Sequence, residues 1–164
     1  MASPVLVVMG VAGCGKSTLG RALADRLGWP FKDGDDLHPP ASIAKMSAGE
    51  PLDDADRAPW LAAVADWIDA CREGGVITCS ALKRAYRDRL AFGRPRVRFV
   101  FIELSPETAA ERLAGRRGHF FPTSLLASQF ADLEPPARDE PVIRVDGRWP
   151  LENQVETVLA GLRA

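Results

Sequence analysis

The stretch VLVVMGVAGCGKST, residues 5–18, constrains the fold of this chain more than any other. Val5 to Met9 is a continuous apolar run rich in β-branched residues and closed by Gly10, which reads as a strand buried on both faces. The residues from Gly10 satisfy G-x-x-x-x-G-K-[ST], and Leu19, Ala22, Leu23 and Leu27 then recur at helical spacing as far as Gly28, a residue suited to a left-handed helix end. Strand, glycine-rich turn and helix in that order make an anion cradle. Successive backbone N–H groups converge on a phosphate only where side chains stay clear, so Gly13 and Gly15 keep the loop open, and Gly10, Cys14 and Thr18 are counted with them as nucleotide-binding residues. The helix opening near Lys16 adds its positive dipole end; Lys16 supplies a compact charge for β- and γ-phosphates, and the Ser17 hydroxyl is placed to bind Mg²⁺. The competing reading is a glycine turn that merely starts a helix. Taken in its context the motif specifies a nucleoside triphosphate site, with ATP and Mg²⁺ as the expected ligands, and leaves the reaction open. A guanine-specific site would want N-K-x-D after a later strand, and the chain has none.

The rest of the chain alternates in the same way. A short extended segment at about Trp29 to Lys32 is followed by a helix from about Asp54 to Glu73, with Trp60, Val64, Trp67, Ile68 and Cys71 on one face. VITC (Val76–Cys79) reads as a buried strand, Lys83 to Leu90 as a basic helix and VRFVFIEL (Val97–Leu104) as a longer strand. Ser105-Pro106 is an N-cap followed by a first-turn proline, opening a helix to about Arg116. Val142 to Val145 makes a last strand and Leu151 to Leu162 a last helix. This order predicts an α/β fold of P-loop NTPase type: one domain over 1–164, a mainly parallel sheet of about five strands covered by helices on both faces. GRRGHFFPT, from Gly115, mixes glycine, arginine and paired phenylalanines and suggests a mobile lid at about 112–124.

Composition narrows the partners. The formal charge of -1 supplies no bulk field for nucleic acid or an anionic membrane, so an anion site has to be local. Three cysteines without CxxC spacing argue against a disulfide framework or a zinc site and fit a reducing cytosol. No run is apolar enough to span a bilayer. Cytoplasmic localisation is the expectation.

DGDDLHPP, from Asp33, follows the second extended segment and so falls beyond a strand's carboxyl end, where α/β sheets collect ligands. Transfer to a hydroxyl needs a carboxylate able to take its proton. Asp35 is the candidate for that role and Asp33 for a water-mediated metal contact; the competing reading is an Asx turn ahead of two prolines. Arg57, Lys83, Arg84 and Arg87 gather at two segment starts and could line an anionic-acceptor pocket, against the alternative of solvated helix faces. Arg112 and Arg116 lie one helical turn apart, where lid arginines can neutralise a transferring phosphoryl group.

Together these segments resemble the bacterial-type gluconokinases, small kinases related in fold to shikimate and nucleoside monophosphate kinases. The matching residues are GVAGCGKST at Gly10, DGDDLHP at Asp33, KMSAGEPLDDADRAPWL from Lys45, CSALKRAYRDRL from Cys79, RLAGRRGHFF from Arg112 and SLLASQFADLE from Ser124. The resemblance implies phosphorylation of D-gluconate at its 6-hydroxyl, with ATP and Mg²⁺. It implies Asp35, Lys16 and Arg116 in catalysis; Asp35, His38, Arg57, Lys83, Arg87, His119 and Gln129 on gluconate; and Ser17 and Asp33 on the metal. It places ATP on the loop and on Arg112 and Arg116, with adenine against the Gly147–Leu151 region, Pro150 included. Similar kinases pair into homodimers. The rival readings are a shikimate or nucleotide kinase of the same fold and a non-catalytic ATP-binding switch. Shikimate kinases are expected to carry three glycines where this chain has Ser80-Ala81-Leu82. The loop departs from the commoner GVSGSGKST at Ala12 and Cys14, and Cys14, near Lys16 and a helix N-terminus, is expected to form a reactive thiolate that oxidation blocks and ATP protects.

Overall fold

The computed structural model describes residues 3–115 and 123–163. Five strands, β1 (Val5–Met9), β2 (Phe31–Asp33), β3 (Gly75–Thr78), β4 (Val97–Glu103) and β5 (Val142–Asp146), form one parallel sheet in the order β2-β3-β1-β4-β5. The chain alternates these with α1 (Lys16–Leu27), α2 (Pro40–Ser47), α3 (Asp54–Ala70), α4 (Arg84–Ala91), α5 (Pro106–Ala114), α6 (Thr123–Asp132) and α7 (Leu151–Arg163).

The continuous apolar run of β1 has its expected cause, because alternate side chains enter different cores. Val5, Val7 and Met9 join Trp60, Leu61, Val64 and Ile68 of α3 and Leu90 of α4. Leu6 and Val8 point the other way, to Leu19 and Leu23 of α1 and Val155 and Val158 of α7. Burial of β1 on both faces therefore fixes the first P-loop residue at the middle of the sheet edge. Two caps fix the helices that carry the site. Asp53 Oδ1 accepts from Asp56 N at 2.8 Å and Asp56 Oδ2 from Asp53 N at 3.0 Å, a reciprocal capping box that starts α3 one turn before Arg57. Ser105 Oγ accepts from Thr108 N at 3.2 Å, with Pro106 in the first turn of α5.

Four sequence expectations change. The second strand lies at Phe31–Asp33 rather than Trp29–Lys32, so Asp33 ends the strand itself. Pro39 and Pro40, expected to stiffen a loop, instead start α2, proline being preorganised for a first helical turn. α6, absent from the sequence reading, begins at Thr123, inside the stretch expected as the lid. Arg112 belongs to helix α5, which ends at Ala114.

Candidate active site

The carboxyl ends of β1, β2 and β3 release three loops side by side, and with α2, α3 and α6 these enclose a cleft of about 540 Å³. On the β1 side, Gly13 and Gly15 take φ of 82° and 98°, values L side chains rarely adopt. A Cβ on Gly13 would also press within 3.0 Å of Leu113 Cγ and 3.2 Å of the Ala109 carbonyl on α5. Gly15 caps α1 without any side-chain hydrogen bond, which leaves the first N–H groups of that helix for an anion. Lys16 Nζ donates to the carbonyls of Gly10 at 3.0 Å and Val11 at 3.1 Å, holding its ammonium over the loop. The cradle thus fits a phosphate chain.

Ser17 Oγ donates to Asp33 Oδ2 at 3.1 Å, joining β1's loop to β2's end. Both are hard oxygen donors suited to Mg²⁺, and no group of three or more His, Cys, Asp or Glu able to hold a metal occurs among the described residues. A cation here would lean on substrate phosphates and water for its other ligands, the usual habit of Mg²⁺.

The acceptor side is built from the turn after β2. Asp33 Oδ1 accepts from Asp35 N at 3.0 Å, starting the single 3₁₀ turn Gly34–Leu37 and leaving the exposed Asp35 on the cleft wall. The Asx turn is present, and it leaves Asp35 at the cleft. Trp60 Nε1 donates to the Gly34 carbonyl at 2.8 Å, and the Trp60 ring carries the His38 imidazole stacked at 4.3 Å and 15°. His38 Nδ1 is buried without a partner among the described residues. Burial pushes its pKa below 6.5, outweighing the opposing attraction of Asp35, so the ring stays neutral near pH 7.

Arg57 is 7% exposed and lines the same cleft. Its Nη1 donates to Asp132 Oδ2 at 2.9 Å and to the Tyr86 hydroxyl at 3.1 Å, and Tyr86 in turn donates to Asp54. Burial works against its charge, but Tyr86 and Asp132 outweigh that and raise its pKa further. Among the described residues, Nε and Nη2 carry no partner, so one prong of the fork is anchored and the other edge is available to an anion. α6 contributes a second contact: Gln129 Oε1 accepts from Ala12 N at 2.7 Å.

The cleft therefore gathers Gly13, Gly15, Lys16, Ser17, Asp33, Asp35, His38, Arg57 and Gln129 of the expected site. Other residues are placed elsewhere. Arg87 is committed to Glu140 and to the carbonyls of Ala81, Leu82 and Glu134, which corrects its expected place on the acceptor. Lys83 pairs with Asp54 at 3.0 Å, one link behind Tyr86 and Arg57, and Arg84 pairs with Asp139. Gly10 and Cys14 belong to the loop and Thr18 to the first turn of α1, none of them lining the cleft. Arg112 Nη2 donates to the Gly147 carbonyl at 2.7 Å, bringing that arginine to the loop that runs through Pro150 into α7. Arg116 and His119 lie outside the described residues. The reactive Cys14 is overturned: the residue is 1% exposed, and desolvation raises its thiol pKa more strongly than Lys16 lowers it. Sequence reasoning missed α2 and the Asp132 and Tyr86 partners of Arg57. Leu125, Leu126, Gln129, Phe130 and Leu133 do carry a helical spacing that marks α6.

The profile of the shikimate kinase family (SKI) matches residues 12–129. A curated gluconokinase from Gluconobacter oxydans (strain 621H) is 57% identical over 145 residues, covering 87% of this chain and 82% of that protein. The crystal structure of a gluconokinase from Sinorhizobium meliloti 1021 superposes with a TM-score of 0.90 at 49% identity, over 98% of this chain and 91% of that one. A shikimate kinase structure from Aquifex aeolicus gives 0.66 at 20% identity, covering 96% of this chain and 95% of that one, a likeness of fold alone. Identity at this level over most of both chains sets the chain apart from that more distant fold relative. It belongs to the gluconokinases, within the wider shikimate kinase family.

Proposed function

We propose that this chain phosphorylates D-gluconate at its 6-hydroxyl with ATP, by in-line transfer. The observation that carries the reading is the shared cleft: the phosphate cradle with Lys16 and the acid-histidine turn with Asp35 and His38 line one space together with Arg57. The triphosphate lies along the glycine loop and the α1 N-terminus, with Lys16 released from the Gly10 and Val11 carbonyls to the β- and γ-phosphates. Ser17, with Asp33 behind it, would hold Mg²⁺, whose chemistry is to neutralise charge on the phosphate oxygens. Asp35 accepts the hydroxyl proton as the γ-phosphoryl leaves ADP. The free edge of Arg57 takes the sugar-acid carboxylate, and His38, kept neutral, can donate to one hydroxyl or accept from it. Gln129, fixed through its oxygen, presents its amide nitrogen to the acceptor. Arg112 stands by the loop suited to adenine; Arg116 and His119 retain the roles that family resemblance suggests. Three buried free cysteines favour the cytosol, and no helix among the described residues is long and apolar enough to cross a membrane. Family resemblance further suggests a homodimer, which light scattering of the purified chain checks.

The test is Asp35→Asn. It should keep ATP affinity and lose on the order of 10²- to 10⁴-fold in turnover with gluconate. Undiminished turnover refutes the base assignment. A panel of gluconate, other aldonates, shikimate and nucleoside monophosphates tests the acceptor, since polar groups arranged for particular hydroxyls reject molecules that lack them.

A further inference from the structure

Thr78, the last residue of β3, is a polar group the reaction scheme above does not use. It is 2% exposed. Its hydroxyl sits at the middle of a relay whose direction is forced by what each atom can do. The Gly34 amide can only donate, and it does so to Thr78 Oγ1 at 3.1 Å. The Thr78 proton is then free for Asp33 Oδ1, 3.2 Å away. That leaves Asp33 Oδ2 turned to Ser17 Oγ at 3.1 Å. The oxygen that Thr78 holds also accepts from Asp35 N at 3.0 Å, so the same carboxylate plane fixes the backbone of the residue assigned as base. The chain path makes room for this. A Cβ at Gly34 would overlap the Thr78 carbonyl, so the turn leaving β2 lies flat against the end of β3 with no side chain between them.

We propose that Thr78 is a positioning residue: its buried hydroxyl locks the rotation of the Asp33 carboxylate, so that Oδ2 stays presented beside Ser17 to the divalent cation accompanying ATP. Asp33 has one rotatable bond between its carboxylate and Cβ. Without Thr78 the plane could turn toward solvent, and the backbone amide of Asp35 alone would not fix it. Groups behind metal-binding carboxylates commonly act this way. The inference rests on the ATP and Mg²⁺ reading but not on gluconate as the acceptor.

Calorimetry of a non-hydrolysable ATP analogue binding to the whole chain, with Mg²⁺ and with EDTA, tests it. In Thr78→Val the affinity gained from Mg²⁺ should fall roughly tenfold, while Thr78→Ser keeps it within about twofold. The Mg²⁺-free affinity should not move in either. Combined with Asp33→Asn, Thr78→Val should cost nothing further, because the group it orients has lost its charge. Full retention of the Mg²⁺ gain in Thr78→Val, or losses that add in the double variant, overturns the proposal. Thr78→Ala replaces the valine variant if the latter does not fold; failure of both to fold while Thr78→Ser folds would make the hydroxyl a determinant of the fold and overturn the positioning role. A parent chain that shows the Mg²⁺ gain but phosphorylates no gluconate sinks the acceptor assignment and leaves that of Thr78 standing.

Discussion

Replacing Arg87 with methionine separates an arginine that builds the site from one that binds the acceptor. Arg87 is 2% and Glu140 8% exposed at the side chain. Nε and Nη2 meet the two Glu140 oxygens at 2.8 and 3.1 Å, Nη1 donates to the carbonyls of Ala81 and Leu82 at 3.0 and 3.2 Å, and Nη2 also reaches the Glu134 carbonyl at 2.9 Å. Ala81 needs that support, since its φ of 44° is a left-handed backbone without the freedom of glycine. Methionine keeps the stem and removes every one of those bonds, leaving the buried Glu140 carboxylate without a counter-charge and with only the Ala137 amide donating to it. Breaking a buried pair in this way costs about 3–5 kcal/mol. At about 2–4 °C per kcal/mol for a chain of this size, the melting temperature should drop by about 6–20 °C, read by calorimetry. The pH dependence gives a second signature. Arg87 holds the Glu140 carboxyl below its ordinary 4.5, against the effect of burial, so the stability it contributes is present above pH 4.5 and lost as pH falls through the lower folded value. The gap between parent and variant should be widest above that pH and close in acid. A variant melting within about 2 °C of the parent, with KM for gluconate raised about tenfold, would refute this reasoning and return Arg87 to the acceptor.

Cys14 should resist alkylation in the folded chain and react only on unfolding, because burial raises its pKa and shuts out the reagent; labelling at the rate of an exposed thiol, with protection by ATP, would contradict this. Because the folded pKa of His38 lies below 6.5, the unfolded chain binds more protons as pH falls from 6.5 toward that lower value, and stability is lost over that window. His38→Gln should flatten the slope of melting temperature against pH there; an unchanged slope rejects a buried neutral imidazole. Gln129→Leu leaves the Ala12 amide without its partner and should destabilise the chain by about 1–3 kcal/mol, seen in urea melts, with affinity for ATP changed far less than affinity for gluconate.

What the sequence made legible follows from which forces are local. The β1–loop–α1 unit was readable because one pattern encodes burial on two faces, an open backbone and a helix start, all within residues 5–27. The Ser105 cap was equally local. The fate of the arginines was not, because a guanidinium at the start of a helix looks the same whether it faces a ligand or a carboxylate far along the chain. Glu140 lies 53 residues beyond Arg87, and Asp132 lies 75 beyond Arg57. The reactivity expected of Cys14 failed for a related reason. Its neighbours Lys16 and the helix end are visible in sequence, whereas its desolvation comes from the chain folding over it. Thr78 had no signal at all, since a threonine ending a β-branched strand satisfies strand propensity without any function.

α6 explains why the two halves of the cleft belong to one machine. Its Gln129 touches the loop that would receive the γ-phosphate, and its Asp132 touches the arginine that would receive the acceptor anion, three residues further along the same helix face. Arg57, at 7% exposure, needs a counter-charge, because a buried guanidinium without one is costly. Asp132 meets that need through Nη1 and leaves the other edge open, so an arriving carboxylate adds to the pair and need not displace it. Gln129 and Asp132 thus tie the loop proposed for the phosphate chain and the arginine proposed for the acceptor to one helix rather than to two independent loops.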